Sequence, residues 1–227
     1  MQVNETEKEN RFYILILVLL AGPFYLNDFA SIYIKDWRLW LFVDYVVVKL
    51  FPLGLALWLI YSERMRAAEF GLTRQRISTA MAAFFIVMLI GTVIDQNAYQ
   101  LIEKLPGYAP LGGMPAITSV TWDWIDLTFG LLMVGVCEEL VFRGFMYTFI
   151  SRYTRNAYVI VLISSVAFGL IHWGLGFHYV LITTVIGAVF MVAYIQTRSL
   201  PALMLAHFAI NFIDFAGIIP KSIFKFI

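Results

Sequence analysis

Long hydrophobic runs dominate the chain, separated by short polar interruptions. The longest extends from Asn156 to Thr197, 42 consecutive residues without Lys, Arg, Asp or Glu. As one helix it would measure roughly 63 Å, about twice a ~30 Å hydrocarbon core. Two spans are therefore expected, turning at the Gly-rich stretch Trp173-Gly174-Leu175-Gly176-Phe177. Further spans are expected near residues 12–34 (interrupted by Pro23, Asn27 and Asp28), 39–61, 77–95, 122–150 and 200–215. The pattern predicts an all-α, polytopic membrane bundle of seven helices. The tail, 218–227, either lies at the interface or completes an eighth. Residues 96–121 carry Pro106, Gly107, Pro110, Gly112, Gly113 and Pro115, and such a density of breakers reads as the longest loop. The expected layout is one membrane domain, with N-terminal helices in 1–95, an extracytoplasmic loop at 96–121 and a helical core at 122–215.

Composition agrees with this pattern. Of 227 residues, 61% are hydrophobic and 14% charged, against about 45–50% and about 25% in soluble domains. With a mean hydropathy of +0.82, a water-soluble globule, a disordered chain and a nucleic-acid binder all fit poorly. The net charge of +1 gives no bulk preference for an acidic partner. The single cysteine, Cys137, excludes an intramolecular disulfide framework and a multi-cysteine metal site. The first run is too long, and too acidic at Glu5, Glu7 and Glu9, for a cleaved signal peptide.

Charge placement predicts orientation. Arg64, Arg66, Arg74 and Arg76 crowd one loop, and Arg152, Arg155 and Arg198 recur at the same side in alternation, so that side and the N-terminus are expected in the cytoplasm. Lys35, Arg38, Lys221 and Lys225 run against the rule. The expected location is the plasma membrane.

Ionisable groups inside a span cost roughly 2.5–3.5 kcal/mol each at a helix centre, and here they are clustered. The fourth span carries Glu138, Glu139 and Arg143, the fifth His172 and the seventh His207 with Asn211. Measured from Arg152, Arg155 and Arg198, the residues Glu138, His172 and Asn211 lie at about 21, 26 and 20 Å along their helices at ~1.5 Å per residue. Spacing of i,i+4 pairs Glu139 with Arg143, Phe168 with His172, and His207 with Asn211 on common faces.

Each residue also has a plainer reading. Glu139 and Arg143 read first as an ion pair within one helix. Glu138 faces Phe142 at i+4 and needs a partner from another helix. Either histidine alone could be an interhelical hydrogen-bonder, Phe168 a core aromatic and Cys137 a packing residue. His178 is expected at the interface. Asp44 and Lys49 pair loosely or line a cavity. Asp123 and Asp126, beside Trp122 and Trp124, read as a helix start in the aromatic belt, and Asp214 as an outlying support.

Together, a carboxylate, two imidazoles and an amide can activate water and stabilise an oxyanion, and a peptide bond at the membrane is a suitable substrate. There is no H-E-x-x-H and no G-x-S-x-G. Ser164 and Ser165 lie about two turns from His172 on the same helix, too far for a dyad.

The ordered set Glu138-Glu139-x-x-x-Arg143, Phe168-x-x-x-His172 and His207-x-x-x-Asn211 resembles the CAAX protease and bacteriocin-processing family, which includes the type II CAAX prenyl endopeptidases. Phe70-Gly71-Leu72-Thr73-Arg74 resembles a segment preceding the core in bacterial members, and the small size and short loops are similar to those of a bacterial or archaeal, hence prokaryotic, member. The resemblance implies an intramembrane, metal-independent glutamate endopeptidase without cofactor, of about eight helices, with a cavity open to the cytosol. Glu138 and His172 would activate water, His207 and Asn211 would form the oxyanion hole, and Glu139 and Arg143 would order the site. The substrate would be a membrane-associated peptide or protein, prenylated or not. Three rivals use the same residues. One is a zinc protease with Glu138, His172 and His207 as ligands and Glu139 as base. The others are a transporter, and an inactive immunity or scaffold protein.

Overall fold

The computed structural model describes residues 5–102 and 111–226. Among these residues the chain is all helical, without strands, in seven helical runs. They are α1 (Glu5–Tyr33), α2 (Trp37–Tyr61), α3 (Ile77–Ile102), α4 (residues 120–151), α5 (Ala157–Leu170), α6 (Phe177–Thr197) and α7 (Leu200–Phe215). Four of these, α1, α2, α3 and α6, contain stretches long and apolar enough to cross a membrane. The α4 run is as long but carries the buried charges. Exposed Leu, Ile, Val and Phe side chains along α1, α2 and α3 give the bundle an apolar outer surface, as a lipid-facing surface requires.

Several boundaries differ from expectation. The first helix begins at Glu5 and continues through Pro23, Asn27 and Asp28 without a break. Asp28 is buried there because it has a partner, the backbone N–H of Gly174 at 2.5 Å. The third helix does not end at Asp95 but continues to Ile102, so the expected loop 96–121 is shorter. The sequence Gln96-Asn97-Ala98-Tyr99-Gln100-Leu101-Ile102 contains no breaker, and helical hydrogen bonding continues where hydropathy has faded. Residues 111–119 are irregular; Lys104, Pro106, Gly107 and Pro110 lie outside the described residues. Among the described residues no further α-helix follows α7. The tail has one 3₁₀ turn, Lys221–Ile223, and docks on α3 through Asn97, which donates to Phe224 O and accepts from Phe226 N, both at 2.6 Å.

Two ends of the bundle can be distinguished. At one, Arg152 pairs with Glu9 at 3.0 Å, Tyr13 bonds Glu69, and Arg198 lies over Tyr147. At the other, Leu111 N donates to Gly174 O at 2.8 Å, Trp173 Nε1 donates to Tyr25 O at 3.0 Å, and Trp37 Nε1 donates to Thr118 Oγ1 at 3.0 Å.

Helices α5 and α6 form an antiparallel hairpin, and α7 packs against both α3 and α4. The approach of α4 to α7 depends on Gly135, where an added Cβ would lie 2.5 Å from Met204 O. Residues 138 and 139 follow one turn later, facing the turn of α7 that carries His207. Among the described residues three stretches are wound as π-helix: Asp44–Leu50 in α2, and Asp126–Gly130 and Leu140–Phe145 in α4. Such segments are rare and often accompany functional sites.

Candidate active site

The fourth helix presents the two glutamates at its change from α to π winding, Glu139 being the last α residue and Leu140 the first π residue. Glu139 and Arg143 are fully buried, while Glu138 and His207 each retain 8% exposure. Arg143 Nε lies 3.1 Å from Glu139 Oε2, so the expected i,i+4 ion pair is present. The guanidinium also stacks 4.0 Å from the Phe168 ring centroid and 5.0 Å from that of Phe190. None of the three guanidinium nitrogens has a hydrogen-bond partner among the described residues, so this buried cation relies on the carboxylate and on an aromatic face from α5 and another from α6.

The seventh helix brings His207 to the glutamates. Nδ1 lies 2.8 Å from Glu139 Oε1, and Nε2 lies 3.8 Å from Glu138 Oε2. The carboxylate of Glu139 therefore receives Arg143 on one oxygen and His207 on the other. With Glu139 ionised, it can only accept, which places a proton on His207 Nδ1. Nε2 can then donate to a third group only when the ring carries both protons.

His172 stands two residues past the end of α5, half-buried, with Nδ1 3.3 Å from Phe168 O. A carbonyl accepts only, so the contact assigns the proton to Nδ1 and leaves Nε2 of the neutral ring with a lone pair. The Phe168 ring lies 5.4 Å from the His172 ring and 6.0 Å from the His207 ring. It forms an apolar wall between the two imidazoles, under the Arg143 guanidinium.

Glu138, His172, His207 and Asn211 all line one cavity of about 450 Å³, together with Arg143 and Phe168. Glu138 Oε2 has no hydrogen-bond donor among the described residues. The cavity extends from these groups to Met114, Leu175 and Phe215, at the end of the bundle away from Arg152 and Arg198.

Other residues read from the sequence settle as follows. Asp44 and Lys49 form a buried ion pair and line the cavity. Their i,i+5 spacing fits the π winding between them. Asp123 lies in the first turn of α4, as expected, but Asp126 instead accepts from Tyr45 Oη at 3.0 Å. His178 is buried, not interfacial. Cys137 is buried with Sγ 3.5 Å from Lys49 O. Ser164 and Ser165 donate to the backbone at Phe142 and Val161. Among the described residues no group of three His, Cys, Asp or Glu side chains is placed to hold a metal ion.

Asp28 is a cavity residue that the sequence marks only as an interruption of the first span. It lines the cavity and accepts from Gly174 N two residues after His172. Its only sequence signal was its cost, a carboxylate inside a hydrophobic run.

Residues 120–213 match the family model of the Rce1-like type II CAAX prenyl endopeptidases. The matched region contains all three motifs that build the cavity, and the match supports the CAAX protease family and, with it, a peptide hydrolase of the membrane. Neither the curated proteins nor the solved structures gave a match.

Proposed function

From a CAAX protease core at residues 120–213, we propose that this protein is an intramembrane endopeptidase in which Glu138 and His172 activate the hydrolytic water. His207 and Asn211 receive the oxyanion. The observation that carries the reading is the shared cavity: four polar side chains from α4, α7 and the end of α5 line one space, and Glu138 Oε2 has no donor within it.

A water between Glu138 and the free Nε2 of His172 gives up a proton to one of them as its oxygen attacks the peptide carbonyl carbon. The carbonyl oxygen takes the negative charge and is met by Asn211 Nδ2–H and by His207 Nε2–H in the doubly protonated ring. As the tetrahedral intermediate collapses, the C–N bond breaks and the stored proton passes to the leaving amine. A positioned base contributes roughly 10²–10⁴ in rate, and an oxyanion donor about 2.7–4 kcal/mol. Glu139 holds the His207 ring from behind, and Arg143 holds Glu139.

The substrate is a peptide segment at the membrane, prenylated or not. Arginines at the Arg152/Arg198 end favour that end in the cytoplasm, with the N-terminus. The cavity would then open to the extracytoplasmic side, not to the cytosol as the family resemblance implied. The reading is metal-independent. Purified protein in lipid nanodiscs should cleave a quenched fluorescent peptide equally well before and after dialysis against a chelator. Loss of cleavage that zinc restores would replace it with the zinc mechanism.

A further inference from the structure

One arginine on the outer face of the bundle stands at the wrong end for the charge pattern. Arg38 lies opposite Arg152 and Arg198, at the end where Trp37 Nε1 meets Thr118. It is exposed, and its guanidinium lies over the Trp37 ring, 5.2 Å from the centroid. Among the described residues it has no ion-pair partner. The neighbouring carboxylate, Asp36, is engaged as the cap of α2, accepting from Arg38 N at 2.8 Å and Leu39 N at 3.4 Å. Asp123 and Asp126 line the central cavity instead, and Lys35 donates to Ile32 O at 2.6 Å.

A groove of about 400 Å³ opens beside Arg38. Leu41, Phe42, Tyr45 and Val46 line it from α2, and Trp122 from the start of α4. Among the described residues that line it, Arg38 is the one charged side chain. Positions 38, 41/42 and 45/46 follow the three-or-four spacing of one helix face, so the charge heads an apolar stripe. From Arg38 to Val46 is eight residues, roughly 12 Å at ~1.5 Å each, most of a ~15 Å half of the hydrocarbon core. Trp37 and Trp122 stand at the charged end, as tryptophans do at headgroup level. Phe42 and Trp122 are exposed, so the groove faces outward.

We propose that this groove binds one anionic phospholipid, with its phosphate on Arg38 and an acyl chain along Leu41, Phe42, Tyr45 and Val46. A guanidinium offers paired N–H donors to two phosphate oxygens. A zwitterionic lipid also carries a phosphate, but its own ammonium competes for it; an anionic headgroup has no such competitor. The acyl chain contributes equally for either lipid, so selectivity rests on the charge, worth about fivefold for one interfacial arginine. The lipid would lie against Tyr45, whose hydroxyl donates to Asp126 of the cavity wall at 3.0 Å. The site is independent of the protease reading.

The test reads lipid at this groove alone. The full chain is reconstituted in phosphatidylcholine with about 10 mol% phosphatidylglycerol bearing brominated acyl chains, which quench nearby tryptophan, against the same fraction of brominated phosphatidylcholine. Quenching of Trp122 is the difference between the wild type and Trp122→Phe. With fivefold selectivity, the brominated phosphatidylglycerol should quench Trp122 about three to four times more strongly. Arg38→Gln should bring the two lipids together, and Arg38→Lys, which keeps the charge, should retain most of the difference. Arg64 supplies the control, since it also lies over a tryptophan, Trp58, at 4.9 Å, but beyond the other end of α2 and away from the groove. Arg64→Gln should leave the quenching of Trp122 unchanged. If Trp122→Phe misfolds, native mass spectrometry of lipid retained by the wild type and Arg38→Gln reads the same preference. Equal quenching by the two lipids in the wild type, as an ordinary lipid-facing surface gives, overturns the inference. So does a preference that Arg64→Gln lowers as much as Arg38→Gln. Quenching by neither lipid also overturns it, since a protein partner would then cover the groove.

Discussion

His207 Nδ1 lies 2.8 Å from Glu139 Oε1, while the other oxygen of that carboxylate lies 3.1 Å from Arg143 Nε. One fully buried side chain thereby fixes both a cation on its own helix and an imidazole on another. The ring is held by its rear nitrogen, with Nε2 toward Glu138 and the cavity.

Arg143 should matter first for stability. Arg143→Met keeps the bulk but leaves Glu139 without its cation, and removing one partner of a buried pair costs about 3–5 kcal/mol. The melting temperature of the purified variant should fall sharply. An unchanged melting temperature would mean that the aromatic stacking on Phe168 and Phe190, not the charge, does the holding.

At Gly135 the closeness of α4 to α7 can be tested. Gly135→Val places side-chain atoms against Met204 O, where a Cβ alone would be 2.5 Å away. Overpacking of this kind costs about 1–3 kcal/mol and moves the glutamates from His207. Cleavage should drop more than the folded yield does. Wild-type cleavage by Gly135→Val would show that the site tolerates a wider helix separation.

Asp28 positions the turn that follows His172. Asp28→Ala removes the acceptor for Gly174 N and should cost about 1–3 kcal/mol of local stability, lowering kcat with little change in KM. Asp28→Asn retains an acceptor and should recover most of the rate. If Asn and Ala behave alike, the charge of Asp28 is the operative property.

Asn211→Ala and His207→Ala should each reduce turnover by roughly 10²–10³ if their side chains donate to the oxyanion. Steady-state kinetics on folded protein decides this, and unchanged kcat in both would make them packing groups.

Much of the site was legible because it is built from local repeats. Glu139 with Arg143, Phe168 with His172, and His207 with Asn211 are i,i+4 pairs on α-helical or nearly helical chain, and expensive groups gathered at one depth imply a meeting point. Hidden from the sequence were features set by tertiary partners or unusual winding. The Asp44–Lys49 pair is five residues apart, so a 3.6-residue period does not align it; the π turn does. Asp28 and Gly174 are separated by 146 residues, and nothing local announces their bond. The end of α3 was misplaced because hydropathy marks where lipid ends, whereas helix hydrogen bonds stop only at a breaker.

The central claim is that the carboxylate of Glu138 does the chemistry. Glu138→Gln preserves shape and volume while removing the base. Purified in nanodiscs, with an unchanged melting profile, this variant should cleave the reporter peptide at least 10² times more slowly than the wild type, the lower limit expected for a positioned base. Cleavage at a near wild-type rate would contradict the account.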